Sequence, residues 1–556
     1  MALTMSPTLM LVVGAVAIYT LYTRTTLYLR RRAMKKQYGC EPCSATYNKD
    51  PFLGIDVLRE SVQASKDRRF LSMAQNRFKI MKSTTYRSRM TTNPQIITIE
   101  PENVKTILSL RFKDYNFGHR TVAFNPMLGD GIFNSSGERW SNSRHMLRPN
   151  FAREQVADIA AFERHIKLLL KHIPKDGSTF DLQSLFFRFT LDTSTEFLFN
   201  HSTNSLRAMG DDSTSGDAAF GRAFGDANAD MLRRIREGPL VWFRSKKTQR
   251  EADEAIRMCH EYAERFVDEA IAWRKELEAS GKAEDEKNEG SHGSYVFIRE
   301  LVKQTTDRTR LRNELINVLL AGRYVNTLRL TSHAFLSRGV RRVPLLELLL
   351  TIYHHTYRDT TASLLSNMFF ELSTKPELWA KLRQEVATLE GRLPTYEELR
   401  NLKLVKWCMN ESLRLHPVVP NNARKAIRDT ILPLGGGPDQ KSPLFVSAGT
   451  VVGYHTYSMH HRTDYFGADA EEYRPERWET LRTGWEYLPF NGGPRICLGQ
   501  QYALTEAGYV TVRLVQEFER MESRDTNGGV WVEGMTLTLQ SGNGVLVGMV
   551  GDKERV

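Results

Sequence analysis

Cys497 stands in the stretch PFNGGPRICLGQQYALTEA. Its glycines let the backbone turn tightly beside a flat ligand. Backbone N–H groups at the start of the helix-like run behind it can point at the sulfur and favour thiolate. Arg495, two residues earlier, can pair with a carboxylate of a bound cofactor. A cysteine ahead of a helix is by itself usually a small buried hydrophobe. The glycines and the arginine shift that reading towards a metal ligand.

Three further groups carry chemistry. WCMNESLRLHP holds Glu411 and Arg414 at helical i, i+3 spacing, which alone reads as a surface ion pair. GERWSNSRHMLRPNF places Trp140 and Arg144 one helical turn apart, and a simple Trp/Arg stack would satisfy them. YRDTTASLLS brings Asp359 beside Thr360 at the head of an apolar, helix-like run. An acid next to an alcohol on a helix can relay protons. Either residue otherwise reads as a cap or a solvated polar group.

Together these stretches resemble the cytochrome P-450 family. Phe490, Gly493, Arg495, Cys497 and Gly499 fit F-x-x-G-x-R-x-C-x-G, the pattern of that family's haem-binding loop. The resemblance implies haem b iron held by the Cys497 thiolate, which pushes electron density onto the metal. It implies a buried ionic cluster of Glu411, Arg414 and, from YRPERW, Arg477. Such a cluster specifies the core more than it stabilises it. It also implies that Trp140, Arg144 and Arg424 meet the haem propionates, because buried carboxylates need cations.

The family's oxygen-activating helix carries A/G-G-x-D/E-T-T/S, and no unbroken copy is present. NELINVLLAGR, ending at Arg323, and RDTTASLLSNMFFEL, starting at Arg358, join at the arginine into one amphipathic helix. Gly322 would then lie beside the haem, while Thr360 and Asp359 feed protons towards dioxygen. Tyr324–Arg358 does not resemble the family; it is basic, and Pro344 breaks helices. It is either a true insertion or an intron translated in frame. Its ends can be encoded as a fungal splice donor and acceptor with a branch site between them, which favours the intron.

The stretches around 128–151, 180–199 and 424–446 look closest to the fungal microsomal n-alkane and fatty-acid hydroxylases. That implies a hydrophobic small-molecule substrate and electrons from an NADPH–cytochrome P-450 reductase. Three rivals stay open. One is a tailoring oxygenase of fungal secondary metabolism. Another is a haem-binding but inactive product of a retained intron. The third, a thiolate-haem isomerase, is disfavoured by the acid/alcohol pair.

The elements that must position these residues are mostly helical. Periodic apolar residues mark helices over much of 150–275 and over 376–415. Residues 430–460 read as turns and short strands, and GMTLTLQSGNGVLVGMV as a terminal hairpin. The expected fold is mainly α with a minor β portion, the cytochrome P-450 fold, preceded by a transmembrane helix. Residues 1–23 carry no charged side chain and are followed by Arg24, Arg30, Arg31, Arg32, Lys35 and Lys36. This predicts a membrane anchor over 1–23, a basic juxtamembrane linker over 24–50 and a catalytic domain over 51–550. By the positive-inside rule the domain is cytosolic, on the endoplasmic reticulum and in contact with membrane lipid. Five scattered cysteines are not a disulfide framework, and the C-x-x-C of Cys40 and Cys43 reads as a loop. The net charge of +12 suits an anionic membrane or an acidic protein partner. No nucleic-acid motif accompanies it.

Overall fold

The computed structural model describes residues 7–50, 52–90, 93–118, 120–151, 159–209, 216–237, 241, 244–280, 296–322 and 360–552. Asp359, Tyr324–Arg358 and most of the charged stretch near 285 lie outside them. The chain is mainly helical with a minor β portion. It divides into two units, one of residues 1–57, 76–116 and 423–454, the other of 58–75, 117–422 and 455–556.

The first unit contains helix α1 (Pro7–Gln37) and a five-stranded sheet. Thr85–Met90 pairs antiparallel with Asn93–Thr98, which pairs parallel with Val451–Tyr454. Asn422–Ala426 and Tyr115–Asn116 complete the other edge. Asn103 is fully buried and stitches this unit together. Its Nδ2 donates to Thr85 Oγ1, Thr98 Oγ1 and the Leu434 carbonyl at 3.1–3.2 Å. A buried amide satisfied in this way is specific rather than costly.

Helix α1 runs unbroken into the expected linker as far as Gln37, and Arg31 forks onto Asp429 at 2.9 and 3.0 Å. The sequence predicts a transmembrane helix here. Among the described residues, however, no helix is long and apolar enough to cross a membrane. The physical reason is dilution. Thr8, Tyr19, Thr20, Tyr22 and Thr23 interrupt the apolar run, and charged residues begin at Arg24. Leu11, Val12, Val16, Ile18 and Leu21 are exposed.

In the second unit a large apolar core gathers Phe186, Phe189, Leu365, Phe369, Leu382, Val405 and Val512, each essentially buried. Helix α2 (Gly137–Leu147) buries Trp140, Ser143, Met146 and Leu147 at i, i+3, i+4 spacing. Helix α3 (Arg308–Gly322) buries Leu311, Leu315 and Leu319 at i, i+4 spacing. Helix α4 (Thr360–Ser373) is buried on every side from Thr361 onward, as an apolar helix at the centre of a large domain must be. Helix α5 (Lys403–Leu415) follows a short helix whose Thr395 and Glu398 form a capping box, and ends just before Pro417. Helix α6 (Gln500–Glu517) starts directly behind Gly499.

Two expectations change. Thr456–His460, within the stretch read as turns and strands, is a helix, because the His455 ring accepts the Ser458 N–H and caps it. The terminal stretch is not one hairpin. Glu533–Met535 pairs with Leu539–Ser541, while Leu546–Gly551 lies between Phe518–Ser523 and Asp176–Asp181 in a separate sheet. Partners that distant in sequence leave no local signal.

Candidate functional site

The Cys497 loop is closed by its own backbone. Cys497 N–H donates to the Phe490 carbonyl at 3.0 Å, and Ile496 N–H to Gly493 at 3.0 Å. Gly493 has φ +68°, a left-handed conformation that a side chain would strain. A Cβ on Gly492 would lie 2.8 Å from the Trp485 ring. Burial pushes the Cys497 thiol pKa up, while the Gly499 N–H and Arg144 pull the other way. The residue is densely surrounded, yet its surface remains accessible.

Two cations border this loop. The Arg495 guanidinium lies 4.4 Å from the rings of both Phe117 and Trp140, and donates to the Ser135 carbonyl at 2.9 Å. Arg144 donates to the Ile496 carbonyl at 3.0 Å, and its guanidinium is 5.9 Å from the Trp140 ring. Burial and the neighbouring Arg148 lower its pKa, and Cys497 opposes them. A thiol ringed by glycines, with two arginines and an indole alongside, fits a flat metal-bearing group that carries carboxylates. Arg424 belongs to the first unit, where it is buried, 5.9 Å from the Tyr454 ring, and donates to the Ala423 carbonyl.

Glu411 and Arg414 on α5 are fully buried and joined by two bonds of 2.9 Å. Arg477 Nε donates to the same carboxylate at 2.8 Å. Sequence reasoning missed two supporting residues. Trp478 Nε1 donates to Glu411 at 3.0 Å. His460 accepts from Leu488 N–H and donates from Nδ1 to the Arg414 carbonyl. Burial and Arg414 pull its pKa down to about 3, so the ring is neutral. Trp478, adjacent to Arg477, was the one visible signal.

Gly322 ends α3 and Thr360 opens α4. Thr360 Oγ1 donates to the Ala321 carbonyl at 2.8 Å, so the two half-helices meet. Asp359 lies outside the described residues.

A profile of the family described as Cytochrome P-450 matches residues 52–336 and 358–543. The chain belongs to the cytochrome P-450 family. This P-450 is 44% identical to cytochrome P-450 monooxygenase himC of Aspergillus japonicus, over 97% of the chain and 88% of that protein. It is 42% identical to monooxygenase fsdH of Fusarium heterosporum, over 96% and 87%. To cytochrome P-450 52A12 of Debaryomyces hansenii the identity is 39%, over 90% of both. The enzyme is thus a cytochrome P-450 monooxygenase, and its cofactor is haem. The profile skips 337–357, within Tyr324–Arg358, and matches 324–336.

When bound, haem supplies a thiolate-ligated iron that lets one atom of dioxygen enter a substrate bond. Cys497 is the residue that would hold the metal. Arg144, Arg495 and Trp140 are the residues that would meet the haem carboxylates. The Thr360 hydroxyl donates to the Ala321 carbonyl, and its oxygen can also accept a hydrogen bond.

Proposed function

We propose that this P-450 hydroxylates long aliphatic chains, fatty acids or n-alkanes, at or near the chain end. The observation that carries this reading is the resemblance of 128–151, 180–199 and 424–446 to fungal n-alkane and fatty-acid hydroxylases. Electrons come from NADPH through a cytochrome P-450 reductase. The net charge of +12 suits docking to an acidic flavoprotein, which makes turnover salt-sensitive. In the working site Cys497 ligates iron, Phe490, Gly493 and Gly499 shape its loop, and Trp140, Arg144 and Arg495 hold the propionates. Gly322 gives room beside the haem, and Asp359 and Thr360 deliver protons. The exposed apolar side chains of α1 hold the protein at the endoplasmic reticulum membrane, with the catalytic domain in the cytosol. That location suits a substrate that partitions into lipid.

Spectral binding and product analysis test the substrate. Each buried methylene is worth about 0.8 kcal/mol, roughly fourfold in Kd, so affinity should rise across fatty acids of about 12 to 18 carbons until the pocket is full. Flat affinity across that series, with turnover only of a ring compound, transfers the protein to the tailoring oxygenases.

A further inference from the structure

The loop Leu128–Ser136 leads directly into α2, the helix of Trp140 and Arg144. It lies flush against one face of α3. A Cβ on Gly129 would sit 2.2 Å from Asn313 Nδ2, and one on Gly131 would sit 2.2 Å from Asn317 Nδ2. Asn317 clamps the loop by accepting Phe133 N–H at 2.9 Å and donating to the Leu128 carbonyl at 2.8 Å. One turn earlier on α3 is Glu314, 1% exposed. One of its oxygens accepts Ile132 N–H at 3.0 Å, and the other accepts the Ser143 hydroxyl. Ser143 is itself buried, between Trp140 and Arg144 on α2.

A carboxyl group this buried is expensive to keep. Burial raises its pKa, against the bonds from Ser143 and Ile132. A clip for one loop does not need it, since Asn317 already provides one. What Glu314 adds is a connection. It ties α3 to the α2 face that carries Trp140 and Arg144. It also ties α3 to the loop whose Ser135 carbonyl receives Arg495. Both cations beside the Cys497 loop are therefore linked to one carboxyl group, Arg144 through α2 and Arg495 through the loop.

We propose that Glu314 is a positioning residue for haem: through Ser143 and the Ile132 amide it fixes Trp140, Arg144 and Arg495 around the carboxylate edge of the cofactor. This rests on the family's haem and is independent of the substrate.

The test uses the full chain loaded with haem. The readouts are haem transfer to apomyoglobin, the melting temperature, and hydrogen exchange across residues 128–147. Glu314→Ala and Ser143→Ala should each speed haem release by about tenfold, the scale of a lost hydrogen bond to a charged group. The double variant should release haem no faster than Glu314→Ala, because both act through one contact. Glu314→Gln keeps an acceptor oxygen and should recover most of the loss. The control is Glu163→Gln, at a buried carboxylate bonded to Tyr509 and Arg513. It should lower the melting temperature without speeding release. Wild-type release rates in both single variants overturn the proposal. So does equal acceleration in a control matched for melting temperature. If Glu314→Ala does not fold, Ser143→Ala decides alone. If the full chain takes up no haem, exchange protection of 128–147 must still fall in both variants, and unchanged protection overturns the proposal.

Discussion

Thr360 donates its hydroxyl proton to the carbonyl of Ala321, 2.8 Å away in space and 39 positions away in sequence. Within a helix, serine and threonine hydroxyls commonly bond the carbonyl four residues earlier. Removing the 35 residues from Tyr324 to Arg358 leaves Ala321 and Thr360 four apart. The contact is thus the one that a continuous α3–α4 helix would make at this register.

The first prediction follows from that register. We propose that the working enzyme lacks residues 324–358. Their deletion should give an active monooxygenase, and the full chain should be about a hundredfold slower or poor in haem, since a displacement of ~1 Å at a reaction centre costs that much. A deletion one residue longer or shorter should fail, because each residue turns the helix by about 100° and would carry Thr360 off Ala321. Haem content and NADPH-coupled turnover of the four proteins check this. Equal activity of the full chain would show a tolerated loop.

Cys497→Ser should abolish the red-shifted Soret band of the reduced, CO-treated protein. The loop closure is backbone to backbone, so the variant should still fold. An unchanged spectrum would remove the thiolate assignment.

Glu411→Ala should destabilise the second unit by about 3–5 kcal/mol, because the buried Arg414 guanidinium loses its counter-charge and Arg477 is left with Asp469 alone. Arg414 and Arg477 otherwise bond only carbonyls and Asp469 among their described partners. Urea unfolding followed by far-UV circular dichroism measures the loss. A change below ~1 kcal/mol would show that water replaces the pair.

Glu196 gives a pH signature. Burial works against its charge, but His165 at 2.5 Å and Arg164 outweigh burial and hold the carboxyl at about 2, below its ordinary 4.5. A depressed folded-state pKa contributes stability that is present above the unfolded value and lost as pH falls through the folded one. Glu196→Gln should therefore flatten the melting-temperature profile between pH 4.5 and 2. An identical slope in wild type and variant would assign acid sensitivity elsewhere.

Membrane attachment through α1 is checked by fractionation. Microsomes should retain the protein through a carbonate wash, and external protease should digest the catalytic domain. Replacing Leu11, Val12, Val16 and Ile18 with serine should release it. Complete release of the wild type would confine α1 to a surface role.

Much of the site was legible because its signals are local. The Cys497 loop, Glu411 with Arg414, and Trp140 with Arg144 each sit within about ten residues, where turn geometry and helical spacing relate side chains directly. The family, its haem and the mainly helical fold follow from them. The class of residue at Thr360 and the break in its helix were visible too.

What the sequence alone could not decide is which distant segments meet. Nothing local announces that Glu314 bonds Ser143, that His460 bridges Arg414 and Leu488, or that the final strand joins Asp176–Asp181 rather than its neighbour. Those contacts exist only because packing of the buried apolar faces brings the elements together. Once it does, buried polar groups must find whichever partner the packing supplies. The Ala321–Thr360 bond belongs to both kinds. Its residues were named from the sequence, but only the packed core shows them in the register of one helix.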